Sequence, residues 1–161
     1  MDAVFSISLP RQAYTVAVAR DVLGTLLARA GVCRDCADDI LLAVSEACAN
    51  AVDHGRPASD YRVEAEMGTR WCELRISHTG KAPDPAALAE RFTADHTPLP
   101  GLEAESGRGI LLMRYLMDEV AFEGEPRTTV LLRKRLTACD EPTREEEAAA
   151  GRVPVQRYAL L

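Results

Sequence analysis

Glu46 and Asn50 stand one helical turn apart in the run Leu42-Ala43-Val44-Ser45-Glu46-Ala47-Cys48-Ala49-Asn50-Ala51-Val52-Asp53-His54-Gly55. Both therefore project from one face of any helix the run forms. Asp39, Ala43 and Asp53 extend that face, while the Ile40/Val44 and Ala47/Ala51 rows point elsewhere. A carboxylate beside a carboxamide can place a proton acceptor and a hard-cation oxygen ligand next to one substrate. The same pair can also do no more than solvate a helix. A second chemical feature is Ser106-Gly107-Arg108-Gly109, a glycine-rich turn directly before the helical run that begins at Ile110. Two glycines let backbone N–H groups approach an anion, a helix N-terminus favours phosphate oxygens, and Arg108 can add a charged contact. A plain helix start with Ser106 as N-cap is the alternative. The third feature is His78-Thr79-Gly80-Lys81-Ala82 at the end of an alternating strand. Period-two geometry turns His78 to the apolar side, toward the floor of any pocket between sheet and helices.

Positioning those groups requires a particular set of elements. Val4 to Leu9 alternates and predicts a short strand stopped by Pro10. Val16, Ala19, Leu23, Leu26, Leu27 and Ala30 recur at helical spacing across 12–30, ended by Gly31. A second helix is predicted over 36–52, with Ile40, Val44, Ala47 and Ala51 as its apolar stripe and His54-Gly55 closing it. Tyr61–Met67 and Trp71–His78 alternate on either side of Gly68-Thr69-Arg70, the pattern of a hairpin. A short helix over 83–92 and a lid-like loop over 93–105 follow. Ile110, Met113 and Met117 mark a helix over 106–117, and strands over 119–122 and 128–135 complete the body. Helices and strands are largely segregated, so the expected fold is α+β: a two-layer α/β sandwich with a mixed, mostly antiparallel sheet under a helical layer.

The three motifs together resemble the GHKL ATPases, the superfamily of gyrases and histidine kinases. The extended run from Leu42 to Gly55 and that from Ser106 to Val120 more closely resemble the anti-sigma-factor serine/threonine kinases of Gram-positive bacteria, and the resemblance covers most of residues 4–136. It implies a Bergerat-type ATP-binding fold that takes ATP and Mg²⁺. Glu46 would orient or deprotonate the attacking hydroxyl, and Asn50 would hold Mg²⁺ against the phosphates. Asp53 belongs to the same nucleotide-facing row, Gly107 and Gly109 would line the phosphates, and Arg108 would lie near them. Implied partners are a sigma factor and a STAS-type anti-sigma antagonist phosphorylated on serine, with a homodimer as a further family expectation. The base-binding end departs from the pattern. Where the family carries Asp-x-Gly-x-Gly, with the aspartate accepting from the adenine amino group, this chain has His78, keeps Gly80 and ends on Ala82. A neutral imidazole accepts one hydrogen bond and a protonated one accepts none. Losing that bond costs about 1–3 kcal/mol, ten- to hundredfold in affinity. The rival expectation is a catalytically inactive module of the same fold that regulates by protein contact alone.

Bulk properties narrow the partners. At 161 residues the chain fits one core, expected over 1–137, followed by a mobile acidic tail over 138–161 that contains Glu145-Glu146-Glu147. A formal charge of −6 argues against direct nucleic-acid binding, because polyphosphate backbones attract basic surfaces. No apolar run is long enough to span a bilayer, and residues 1–10 lack the pattern of a signal peptide, so a cytoplasmic location is expected. Five cysteines, an odd number for a reducing compartment, lead to an expectation of free thiols, with Cys33-x-x-Cys36 incidental. A zinc site built from the scattered His54, His78 and His96 is disfavoured.

Overall fold

A computed structural model describes residues 3–55, 59–80, 105–124 and 127–136. The elements are β1 (Ala3–Pro10), α1 (Ala13–Arg29), α2 (Arg34–His54), β2 (Asp60–Met67), β3 (Trp71–His78), α3 (Glu105–Leu116), β4 (Glu119–Glu123) and β5 (Thr128–Arg135). The expected helix over 83–92, most of the lid over 93–105 and the tail over 138–161 lie outside the described residues, as does Ala82.

The five strands form one sheet in the order β1-β2-β3-β5-β4. All four pairings are antiparallel, so the sandwich stands as expected while its mixed component does not. Two helices separate β1 from β2. A single crossover helix would deliver the chain for a parallel strand, whereas two in succession bring it back to the end it left and β2 runs antiparallel.

Alternation decides which face the helices cover. Tyr61, Val63, Ala65 and Met67 of β2 are buried, as are Cys72, Leu74, Ile76 and His78 of β3. The register sets Val63 beside Ile76 and Leu74 beside Leu132. Leu23 and Leu27 of α1, Ile40, Val44, Ala47 and Ala51 of α2, and Met113 of α3 complete the core from above. The other face carries charge: Glu73 bridges Arg75 at 2.5 Å and Arg133 at 2.6 Å, and Arg135 lies 5.0 Å from the Trp71 ring centroid.

Helix ends follow local chemistry. Gly31 takes φ 74, a left-handed conformation that suits glycine, just past α1. The N–H of Val32 reaches back to the Leu27 carbonyl at 3.0 Å. Cys33 is the N-cap of α2, its Sγ accepting from the N–H of Cys36 at 3.5 Å, which gives the Cys-x-x-Cys spacing a capping role. Cys33 is also disulfide-bonded, a correction to the expectation of free thiols, while Cys36, Cys48 and Cys72 remain buried thiols. Cysteine counting could not foresee this, because a disulfide depends on two Cα atoms meeting within about 7 Å in the fold.

One buried polar chain ties three elements together. Thr15 Oγ1 of α1 lies 2.9 Å from the Tyr61 hydroxyl, 2.9 Å from the Pro10 carbonyl and 2.7 Å from that of Gln12. Burial pushes the Tyr61 phenol up to about 12 and the Cys48 thiol, its hydrogen-bond partner, up to about 12 as well, so both stay protonated. Tyr61→Phe removes the link between β2, α1 and α2 but leaves Thr15 its carbonyl partners. The expected loss is about 1–2 kcal/mol of unfolding free energy, measured by urea denaturation.

Candidate functional site

α2 and α3 pack antiparallel. Lys134 of β5 fixes one end of the seam, its Nζ donating to Asp39 Oδ2 at 2.8 Å and to the Leu116 carbonyl at 2.7 Å, so a cation sits on the last turn of α3. Two turns along α2 and two turns back along α3, Glu46 meets Gly109. A Cβ on Gly109 would stand 2.7 Å from Glu46 Oε2. One turn further in each direction are Asn50 and Glu105, so Asn50 comes level with the first residue of α3.

The face read from the sequence is thus the seam against α3. Ala43 is fully buried and Glu46 and Asn50 are half-buried, so simple solvation of a helix does not describe the pair. Asp53 is exposed one turn beyond Asn50. Ser106, Gly107, Arg108 and Gly109 form the opening turns of α3, within the helix expected over 106–117. Glycine inside a helix costs about 1 kcal/mol against alanine, and at position 109 the close approach of a carboxylate supplies the reason. The first N–H groups of α3 have no acceptor within their own helix, and Gly107 lies among them. Arg108 is half-buried beside them.

β3 delivers the third motif to the same end of the molecule. Gly55, just past α2, pairs with Gly80 in an isolated antiparallel bridge. A Cβ on Gly80 would lie 2.4 Å from the His54 carbonyl oxygen and 2.9 Å from His78 Nδ1, so only glycine lets these segments close. The Thr128 hydroxyl of β5 donates to the Gly80 carbonyl at 2.9 Å. His78 is only 6% exposed, and its Nδ1 is the one buried side-chain nitrogen or oxygen without a partner among the described residues.

Burial is the largest cause that holds the His78 imidazole below its ordinary value of 6.5; a backbone hydrogen bond at Thr79 works against it, and the neighbouring Arg11, His54 and Arg127 add to it. It is neutral in the fold at pH values where it is charged in the unfolded chain. The unfolded state then binds more protons, so this contribution to stability is complete above 6.5 and declines as pH falls toward the folded value. His78→Asn should flatten that part of the pH dependence, read from urea midpoints between about pH 7.5 and 5.5.

Sequence spacing singled out Glu46, Asn50, His78, Gly80, Gly107, Arg108 and Gly109, and the fold gathers them at one end, where α2 finishes, β3 finishes and α3 begins. It did not find Lys134, Asp39's partner, or Arg11, which caps α2. Neither carries a local sequence signal, since each acts on an element far along the chain. A concavity of about 490 Å³ lined by Trp71, Glu73 and Arg133 among others lies at the β2–β3 turn, away from these groups. Among the described residues no three His, Cys, Asp or Glu side chains gather as a metal cluster, and no helix is long and apolar enough to cross a membrane.

An acidic residue and a carboxamide on one helix are thus set against the glycine-bearing start of another, over an antiparallel sheet. Residues 9–134 match the histidine kinase-like ATPase domain family, and the chain belongs to it. It is similar to the serine-protein kinase RsbW of Bacillus pumilus, 30% identical over 83% of this chain and 86% of that protein. It is 32% identical to the anti-sigma F factor of Halalkalibacterium halodurans over 82% of this chain and 92% of the relative. Its fold is shared with the crystal structure of the RsbU and RsbW domains of a Mycobacterium tuberculosis protein, at a TM-score of 0.61 and 21% identity, covering 83% of this chain and 32% of that one.

Proposed function

We propose that the chain is an anti-sigma factor that binds ATP·Mg²⁺ and phosphorylates a serine of a STAS-type antagonist, thereby controlling release of a sigma factor. The observation that carries this is the contact of the Glu46 carboxylate with Gly109, which sets an acidic group at the opening turns of α3 with Asn50 one turn away.

The donor set suits the nucleotide. Mg²⁺ prefers oxygen ligands and keeps much of its shell as water and phosphate, so one carboxamide oxygen, that of Asn50, is a sufficient protein ligand. When bound, the ion neutralises charge on the phosphate oxygens. Gly107 and Gly109 line the phosphates, the first N–H groups and the positive end of the α3 dipole attract their oxygens, and Arg108 adds a cation. Glu46 orients the serine hydroxyl and accepts its proton as the γ-phosphoryl group transfers. Asp53, His78 and Gly80 serve the base end of the pocket. The protein acts in the cytoplasm, as a homodimer, without direct contact to nucleic acid.

A second reading is favoured by one observation: His78, buried among cations, stands where relatives with an aspartate would accept from adenine. A module that no longer binds nucleotide would regulate by protein contact alone. Calorimetry with ATP·Mg²⁺ separates the two, and transfer from γ-labelled ATP to a panel of STAS-type antagonists tests the kinase itself. Binding together with label on a serine supports the first reading; no binding at millimolar nucleotide rejects it.

A further inference from the structure

Arg11 is the first residue past β1, yet its side chain works at the far end of α2. Its Nε donates to the Ala51 carbonyl at 3.0 Å, and its Nη2 donates to the Val52 carbonyl. Both carbonyls belong to the last turn of the helix, where a cation meets the negative end of the dipole. A planar guanidinium grips two neighbouring acceptors at once, which a single ammonium does less well.

The surroundings are shaped around this contact. Gly55 has φ −71, so left-handed backbone is not why glycine stands there. A Cβ at that position would lie 2.3 Å from Arg11 Nε, 2.8 Å from its Cδ and 2.7 Å from the Ala51 carbonyl oxygen. Gly55 in turn bridges to Gly80, and Thr128 holds Gly80. One arginine, two glycines and one threonine therefore fasten the last turn of α2 to the ends of β3 and β5. Asn50 immediately precedes the two gripped residues.

We infer that Arg11 is a positioning residue for the nucleotide site: it fixes the last turn of α2, and with it Asn50. The inference rests on the reading of Asn50 as the Mg²⁺ ligand.

Calorimetry with ATP in excess Mg²⁺ and with ATP in a chelator, run on wild type, Arg11→Met, Arg11→Lys and Gly55→Ala, tests the inference. Arg11→Met should weaken ATP·Mg²⁺ about tenfold, the loss of a charged hydrogen-bonded contact, while Mg²⁺-free ATP changes by no more than about twofold. Arg11→Lys should recover part of the loss. Gly55→Ala should reproduce it with the arginine present, since the new methyl occupies the path of its side chain. Amide exchange in the last turn of α2 should quicken in Arg11→Met and Gly55→Ala. Equal affinities in wild type and Arg11→Met, or an equal loss of both nucleotide forms, overturn the positioning role while leaving nucleotide binding intact. A wild type that binds neither form overturns the proposed function, and this inference with it.

Discussion

Gly109→Ala should lower phosphoryl transfer at least about a hundredfold while leaving the protein as stable as wild type, or more so. The two effects separate because they have different causes. Inside a helix, alanine is favoured over glycine by about 1 kcal/mol, through the backbone entropy that glycine loses on folding. Position 109 lies within α3, so the substitution brings that gain. The new Cβ would stand 2.7 Å from Glu46 Oε2 but 3.6 Å from Glu46 Cβ, an ordinary contact. Only the far end of a flexible side chain must move, so the helices need not part. Moving that end takes the carboxylate away from where the attacking hydroxyl is to be held, and a displacement near 1 Å costs about a hundredfold in a reaction driven by positioning. Thermal melting beside initial rates of antagonist phosphorylation checks both halves. A variant that melts lower and transfers normally would show that Gly109 serves packing alone.

The path from sequence to site explains what could be foreseen. Helical and strand periods placed β2, β3 and β5 within a residue of their observed limits, because half-buried strands under a helical layer must alternate. The spacing of Glu46 and Asn50 fixed their common face, and the glycines around 107–109 marked the start of a helix. What that face looks onto was not legible. Ala43 reads as a small residue on a polar row until α3 covers it, and it is then fully buried. Gly55 reads as a helix terminator, yet its φ is −71 and its small size makes room for the Arg11 side chain, which enters from 44 positions away along the chain. The Lys134 cap on α3 and the Gly55–Gly80 bridge share that origin. Each is a contact between segments distant in sequence, and periodicity carries no information about such contacts. Family resemblance supplied roles for residues that match the motif, and it was silent on Arg11 because no motif includes it.

Glu46→Gln should have the largest effect of all on transfer, a fall of at least about a thousandfold, with ATP·Mg²⁺ affinity within a few-fold of wild type. Glutamine keeps the length and shape of the side chain and so keeps the contact with Gly109, but it can no longer take up a proton at a carboxylate. If Glu46 acts on the attacking hydroxyl, its loss is felt as the hydroxyl attacks and hardly at all when nucleotide binds, because Asn50, the α3 N–H groups and the base end hold the ligand. Comparing Gln with Ala sharpens this. Alanine removes the charge and also the side chain that fills the seam beside Gly109, so it should lower stability where glutamine does not. Paired measurements of calorimetric affinity and single-turnover transfer give both quantities for each variant. A Glu46→Gln protein that transfers at the wild-type rate would remove Glu46 from the chemistry and reduce the α2–α3 seam to a structural contact. One that fails to bind nucleotide would instead place the carboxylate in ground-state recognition, with the proton of the serine hydroxyl leaving by another route.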